Sequence, residues 1–349
     1  MGTIKVAFYD AKPYDQKSFN KVNERYGFDI HYFPTHLNEE SVALAAGFDT
    51  VCVFVNDTVN AKVIDKLKEN GTKLIALRSA GYNNIDLHHT YGKMHVVRVP
   101  AYSPHAVAEH AVALMLSLNR KTHKAYFRTR DNNFAINGLL GFDMHEKTAG
   151  IIGTGKIGKV AAQILRGFGM NVLAFDVYPD KQFASENQVE YTDLDDLYKR
   201  SDIISLHCPL TPENVYMIND DSIRKMKDNV MIINTGRGKL INTQDLIKGL
   251  KSKKIGSAGL DVYEEESEYF FEDFSGEAIS DDVLARLLTF PNVLITSHQA
   301  FFTKEALESI AVTTLNNIRR YHQEHQLPNE ICYQCNEGKC TRKESGRCF

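Results

Sequence analysis

The turn Gly153-Thr154-Gly155-Lys156-Ile157-Gly158 constrains this chain more than any other segment. It follows an apolar run, Ala149–Ile152, and opens a helical pattern over Lys156–Phe168 that stops at Gly169. A second apolar run, Asn171–Phe175, comes next, and Asp176 stands 18 residues beyond Gly158. Glycine spacing alone is common. A strand, this turn, a helix, a second strand and then an acid is the pattern of a dinucleotide-binding βαβ unit. Gly153 permits the tight turn, Gly155 lets the backbone approach a pyrophosphate, and Gly158 lets the helix pack closely on the strand. The helix N-terminus then favours the phosphate charge. Asp176 is placed to accept hydrogen bonds from ribose hydroxyls and to repel a 2′-phosphate. No arginine follows it in Val177-Tyr178-Pro179, so the reading is NAD rather than NADP.

The same alternation of strand and helix runs through most of the chain. Short β-rich runs occur at Lys5–Tyr9, Val51–Val55, Lys73–Leu77 and Val96–Val99, with helical stretches such as Ala61–Lys68 between them. A second set comprises Ala149–Ile152, Asn171–Phe175, Ile203–Leu206, Val230–Asn234, Ser257–Asp261 and Val293–Thr296. This rhythm predicts two α/β domains, each a parallel sheet covered by helices. A helical region over 104–129 joins them, and another, Thr303–His325, follows the second set. The length of 349 residues suits two domains.

Lys and Arg total 41 against 44 Asp and Glu, a net charge of −3, so there is no basic surplus to neutralise nucleic-acid phosphates. No apolar run reaches the roughly 18 residues of a membrane span. The most apolar helical stretch, Ala106–Leu118, is interrupted by Glu109 and His110. The N-terminus enters strand-like sequence directly and carries no signal-peptide pattern, so a cytoplasmic enzyme is expected.

Three charged groups stand at or just beyond strand ends in the second set, where open α/β sheets bind ligands. Arg237, in Asn234-Thr235-Gly236-Arg237-Gly238, is sterically open and can offer a bidentate fork to a carboxylate. Asp261 is followed by Glu264, Glu265 and Glu266, a run that would ordinarily be a solvated face. His298 follows Val293–Thr296, and a lone histidine would ordinarily be a structural hydrogen-bonder. Together they suit the reduction of a keto acid: a cation holds the carboxylate and an acid protonates the forming alkoxide. A carboxylate beside His298 would keep the imidazole protonated near neutrality. The residues themselves leave open which glutamate that is.

Taken together, Gly153–Gly158, Asn234–Gly238, Asp261–Glu266 and Ser297–Phe301 resemble the D-isomer-specific 2-hydroxyacid dehydrogenases. Supporting stretches are Arg78–Asn84, Val99–Pro104, Asn119–Lys121, Arg128–Arg130 and His207–Pro212, and the resemblance runs over about residues 4–330. It implies two Rossmann-like or flavodoxin-like doubly wound domains. The NAD domain (101–299) is inserted into a substrate domain formed by 1–100 and 300–330. It implies Arg237 as substrate anchor, His298 as proton donor and Glu266 as the histidine's partner, leaving Glu264 and Glu265 for solvent. Lys156, Ile157, Asp176, Cys208, Pro209, Asn214, Thr235 and Gly236 would line the NAD site with the glycine turn, and Asp261 would lie near the nicotinamide. The Ala80 and Gly81 amides would hold the substrate carboxylate, and Tyr102 and Phe301 would close around a small apolar substituent, with Lys12 adding positive charge. The implied reaction is pyruvate to D-lactate. Another small D-2-hydroxyacid is the near alternative, and an NAD-sensing corepressor on the same fold the distant one. Closure of a cleft between the domains would exclude water. Members of the family form dimers through the cofactor domain, so a homodimer, or a tetramer, is expected, with the helix around Ala106–Leu118 contributing apolar surface.

Beyond residue 330 the chain departs from the family pattern. Cys332, Cys335, Cys340 and Cys348 fall in the last 18 residues with Lys339, Arg342, Lys343 and Arg347, whereas Cys52 and Cys208 stand alone in apolar runs. The segment is short and polar and has no second Cys-x2-Cys, so a mobile tail (331–349) is the leading expectation. A zinc or iron–sulfur site is the second reading, and a redox or disulfide role the third. The reaction needs none of these thiols, and no metal is assigned to it.

Overall fold

The computed structural model describes residues 3–265, 269–336, 338–340 and 342–349. The chain divides into two compact units, one formed by Met1–Ser103 with Thr303–Phe349 and the other by Pro104–Phe302. Among the described residues no helix is long and apolar enough to cross a membrane.

The first unit carries strands β1 (Lys5–Phe8), β2 (Asp29–Tyr32), β3 (Thr50–Val53), β4 (Leu74–Leu77) and β5 (His95–Val97). They form one parallel sheet in the order β2-β1-β3-β4-β5. Every residue of β3 and β4 is buried, as strands covered on both faces require. The helix Ala61–Glu69 lays Val63, Ile64 and Leu67 on this sheet, and the Asn60 side chain caps its start by accepting from the Val63 amide at 3.1 Å. The helix Lys304–Arg319 belongs to the same unit and packs against the helix Pro13–Asn23 and β4.

The second unit carries β6 (Thr148–Ile152), β7 (Asn171–Phe175), β8 (Val189–Tyr191), β9 (Ile203–Leu206), β10 (Val230–Asn234), β11 (Ile255–Leu260) and β12 (Val293–Ile295). Their parallel order is β12-β11-β10-β9-β6-β7-β8. The chain runs outward from β6 to β8, then crosses back to β9 on the other side of β6. The direction of winding therefore reverses between β6 and β9, the crevice where doubly wound sheets bind ligands. The helix Lys156–Gly167 buries Gly158, Ala161, Ala162 and Leu165 against β6, β7 and the helix Pro104–Arg120.

Strands β2 and β8 were not evident from the sequence. Both lie at sheet edges, where Asp29, His31 and Glu190 interrupt the apolar pattern. The helical region 104–129 breaks at Lys121, whose φ of 51° lies in the left-handed region. It becomes two helices, Pro104–Arg120 and Thr122–Arg130. Asn119 makes the break by pairing with the returning loop: its side chain accepts from the Phe142 amide and donates to the Phe142 carbonyl, each at 2.8 Å. The apolar residues Ala108, Ala111, Leu114, Met115 and Leu118 are buried inside the second unit, so they are not the partner-facing surface expected of this helix.

The expectation of a mobile tail is also corrected. The described residues after 330 include several that pack within the first unit: Phe349 stacks on His95 at 4.6 Å, Tyr333 stacks on His88 at 4.2 Å, and Cys332 and Cys348 are buried. Aromatic residues interleaved with the cysteines supply the apolar contact that composition alone concealed.

Candidate active site

Parallel strands release all their carboxyl ends on one edge of a sheet. The glycine turn after β6, Asp176 after β7, Cys208 and Pro209 after β9, Thr235–Arg237 after β10, Asp261 after β11 and His298 after β12 therefore share the same edge of the second unit.

Gly153 has φ 95°, and a Cβ there would lie 2.5 Å from the Cys208 amide nitrogen. The turns after β6 and β9 are thus packed backbone to backbone. A Cβ on Gly158 would fall 1.9 Å from the Gly153 carbonyl oxygen, so the helix can start this close to the strand only with glycine. Gly155 is different: a Cβ there would meet nothing within 4 Å. Its backbone faces open space, and the helix it begins has no side-chain cap. Lys156 and Ile157 occupy the first turn of that helix. An open, uncapped helix N-terminus fits a pyrophosphate. Asp176 Oδ2 accepts from the Thr154 amide at 2.6 Å and the Thr154 hydroxyl at 3.0 Å, while Oδ1 accepts from the Tyr178 amide at 2.9 Å. The carboxylate is half-buried and so holds the glycine turn while keeping lone pairs toward solvent.

After β9, burial pushes the Cys208 thiol up to about 11, which keeps it protonated and unreactive at neutral pH. Pro209 is exposed, and the Asn214 side chain shapes its loop, donating to the Pro209 carbonyl at 2.7 Å and accepting from the Thr211 amide at 2.8 Å. Burial also pushes His207 down to about 4, so this ring is neutral, with Nε2 2.9 Å from Ser205 Oγ.

Asn234, at the end of β10, was not singled out from the sequence. Its buried side chain donates to the Arg237 carbonyl at 2.9 Å and accepts from the Gly236 amide at 3.0 Å, closing the turn that presents Arg237. The Thr235 hydroxyl oxygen is buried with no partner among the described residues. Gly238 lets this turn sit on the next loop, because a Cβ there would lie 2.0 Å from the Tyr263 carbonyl oxygen. Arg237 itself is half-buried.

Asp261 is wholly buried. Oδ1 accepts from the Thr296 hydroxyl at 2.5 Å and the Gln299 amide at 2.9 Å, and Oδ2 accepts from the Ala300 amide at 2.8 Å. His110 Nε2 lies 3.1 Å from Thr296 Oγ1 and 3.4 Å from Asp261 Oδ1. The family resemblance implies that Asp261 lies near the nicotinamide; its carboxylate also holds the loop that carries His298. Glu264 is not left to solvent either. It accepts from the Tyr216 hydroxyl at 2.6 Å and from the Thr243 amide at 2.8 Å, because its loop folds back over the second unit. Glu265 is exposed, and Glu266 lies outside the described residues. The His298 ring lies 5.9 Å from the ring of Phe271, which in turn lies 6.5 Å from that of Phe301. Phe271 sits in a loop with no helical or strand period, so no sequence signal pointed to it.

In the first unit, Ala80 and Gly81 follow β4. The Ala80 carbonyl accepts from Arg98 at 2.7 Å and the Gly81 carbonyl from the Ser79 hydroxyl at 2.8 Å. Arg78, fully buried, anchors the loop's base by donating to the Asp10 carbonyl at 2.7 Å between the Phe8 and Phe54 rings. Lys12 pairs with the Asp10 carboxylate at 3.0 Å, and Tyr102 is half-buried.

The family described as D-isomer specific 2-hydroxyacid dehydrogenase, NAD binding domain, matches residues 112–300. A D-lactate dehydrogenase from Escherichia coli (strain K12) is 52% identical over 329 residues, covering 94% of this chain and all of the relative. A solved Salmonella D-lactate dehydrogenase superposes with a TM-score of 0.84 at 53% identity, covering 94% of this chain and all of that one. The NAD-complexed D-isomer specific 2-hydroxyacid dehydrogenase from Lactobacillus delbrueckii ssp. bulgaricus superposes with a TM-score of 0.77 at 32% identity, covering 94% and 99% of the two chains.

Proposed function

Because the chain belongs to the D-isomer-specific 2-hydroxyacid dehydrogenase family and is an NAD-dependent oxidoreductase, we propose that it reduces pyruvate to D-lactate. The observation that carries this reading is the order β12-β11-β10, in which the loops carrying His298 and Arg237 flank the one that begins at Asp261. The open amides at Gly155, Lys156 and Ile157 would hold the cofactor's pyrophosphate, and Asp176 its ribose; Gly153, Gly158, Cys208, Pro209, Asn214, Thr235 and Gly236 would shape the rest of that site. When bound, NADH supplies the hydride.

Arg237 anchors the substrate carboxylate through its planar fork and polarises the carbonyl. His298, with Glu266 as its partner, donates a proton from its ring to the forming alkoxide. The amides of Ala80 and Gly81, which donate to no described residue, are further ligands for the carboxylate. Phe301 and Tyr102 border a small apolar substituent, and the aromatic wall Phe271–Phe301 beside His298 suits a methyl group. The protein works on a small molecule in the cytoplasm.

It also assembles as a homodimer. The surface for this is the segment after the joining helix, where Phe127, Phe134, Ile136 and Leu140 are exposed on the second unit. Light scattering on the purified chain, alone and with Ile136→Glu, tests that assignment; a wild-type monomer would overturn it.

The reaction is tested by NADH oxidation with pyruvate followed by chiral analysis of the product. D-lactate at many turnovers supports the reading. No turnover while NADH still binds would transfer the assignment to a larger 2-keto acid, since a one-methylene difference alters recognition by only about 1–3 kcal/mol.

A further inference from the structure

The four cysteines that follow residue 330 meet at one point. Cys332 Sγ lies 3.8 Å from Cys335 Sγ and 3.7 Å from Cys340 Sγ, and Cys348 Sγ lies 3.8 Å from Cys335 Sγ and 3.5 Å from Cys340 Sγ. All four sulfurs fall within 4.8 Å of one another. Cys332 and Cys348 are buried, Cys335 and Cys340 half-buried. We propose that these four thiols form a structural zinc site that locks the C-terminal segment onto the first unit.

The spacing selects among the chemistries four cysteines can support. A disulfide needs sulfurs about 2.05 Å apart, well inside the separations here. Four sulfurs held about 2.3 Å from a tetrahedrally coordinated zinc lie about 3.8 Å from one another, which is the spacing found. An iron–sulfur cluster places several irons and bridging sulfides between its cysteines, so thiolates on different irons stand farther apart than neighbours on one metal. A mononuclear tetrahedral site is what remains, and at equal geometry zinc outcompetes ferrous iron. Zinc binding releases the four thiol protons and leaves a complex of charge −2. Lys339, Arg342 and Arg347 stand in the same short segment to balance it. Four thiolates close the coordination sphere and leave no position for substrate or water, so the site is structural rather than catalytic.

Its surroundings show what it would secure. β5 is an edge strand of the five-stranded sheet. Residues 329–331 run antiparallel along it: the Arg98 amide donates to the Asn329 carbonyl at 3.1 Å and the Ile331 amide to the Val96 carbonyl at 2.9 Å. The buried Glu330 carboxylate ties both sides together, reaching His95 Nδ1 at 2.5 Å and accepting from the Cys348 amide, while Arg342 donates to the Glu330 carbonyl. A metal joining Cys332, Cys335, Cys340 and Cys348 would close the loop behind this added strand and keep the sheet edge covered.

The test is metal analysis of the untagged full chain purified under reducing conditions. About one zinc per chain is expected, with Cys335→Ser and Cys340→Ser each losing it. Stripping the metal should lower the thermal midpoint. Replacing it with cobalt should give the intense thiolate charge-transfer and tetrahedral d–d absorption of a four-sulfur site. Wild-type protein with negligible zinc that takes up no cobalt would overturn the proposal, as would two disulfides found by mass. Iron with visible absorption would overturn the assignment to zinc. None of these readouts depends on the proposed reaction.

Discussion

The His298 amide donates to the Asp261 carbonyl oxygen at 2.8 Å while His298 itself holds a left-handed backbone, φ 52°. Such a conformation in a non-glycine residue costs of order 1–3 kcal/mol and persists only where its surroundings enforce it. Asp261 does so from both ends, through this carbonyl and through its carboxylate bonds to Thr296, Gln299 and Ala300. It is a positioning residue for His298.

Asp261→Asn should therefore lower kcat on the order of 10- to 100-fold by misplacing the loop. An amide group turned toward the Ala300 or Gln299 amide leaves a buried donor unpaired, at a cost of about 1–3 kcal/mol. Steady-state kinetics and urea unfolding check both effects. A variant with reduced stability and unchanged kcat would deny the positioning role.

His298→Gln should reduce turnover with pyruvate by about 10²–10⁴-fold, the usual worth of a positioned general acid. NADH binding, followed by fluorescence titration, should change little. An unaltered rate would remove His298 from the mechanism.

Gly155→Ala and Gly158→Ala should behave oppositely. The first adds a methyl into open space, so stability should move by no more than about 1 kcal/mol while KM for NADH rises. The second drives a Cβ into the Gly153 carbonyl and should destabilise the protein by about 1–3 kcal/mol or more. Thermal unfolding and NADH titration of both variants check the contrast.

Asp176→Ser removes the carboxylate that disfavours a 2′-phosphate and that braces Thr154. The ratio of kcat/KM for NADPH to that for NADH should rise, while the NADH value falls. An unchanged ratio would show that another group sets the preference.

His207 predicts a pH effect on stability. Burial holds its folded pKa near 4, against 6.5 for the free side chain. Above pH 6.5 the ring is neutral in both states and contributes no slope. As pH falls from 6.5 to 4 only the unfolded chain takes the proton, so stability declines by up to roughly 3 kcal/mol and levels off below. Denaturation of wild type and His207→Gln at pH 7 and pH 5 checks this; the variant should lose less on acidification.

Much of this was legible in residue order. The glycine turn, the acid after β7 and the alternating apolar runs each lie within a few consecutive residues, and β7, β9 and β10 span Asn171–Phe175, Ile203–Leu206 and Val230–Asn234 as read. Strands β2 and β8 were hidden because edge strands carry polar residues. Asn234, His110 and Phe271 were hidden because their roles depend on partners far along the chain or on an irregular loop.

The sequence by itself determined the class of fold, the cofactor turn and the loops that carry Arg237 and His298, because periodicity and turn chemistry are local. Only the tertiary structure decided that Asp261 holds the histidine loop, that Glu264 clamps its own loop, and that four cysteines meet. Those facts depend on which distant segments share a buried space, where every polar group must find a partner, and no local pattern records that.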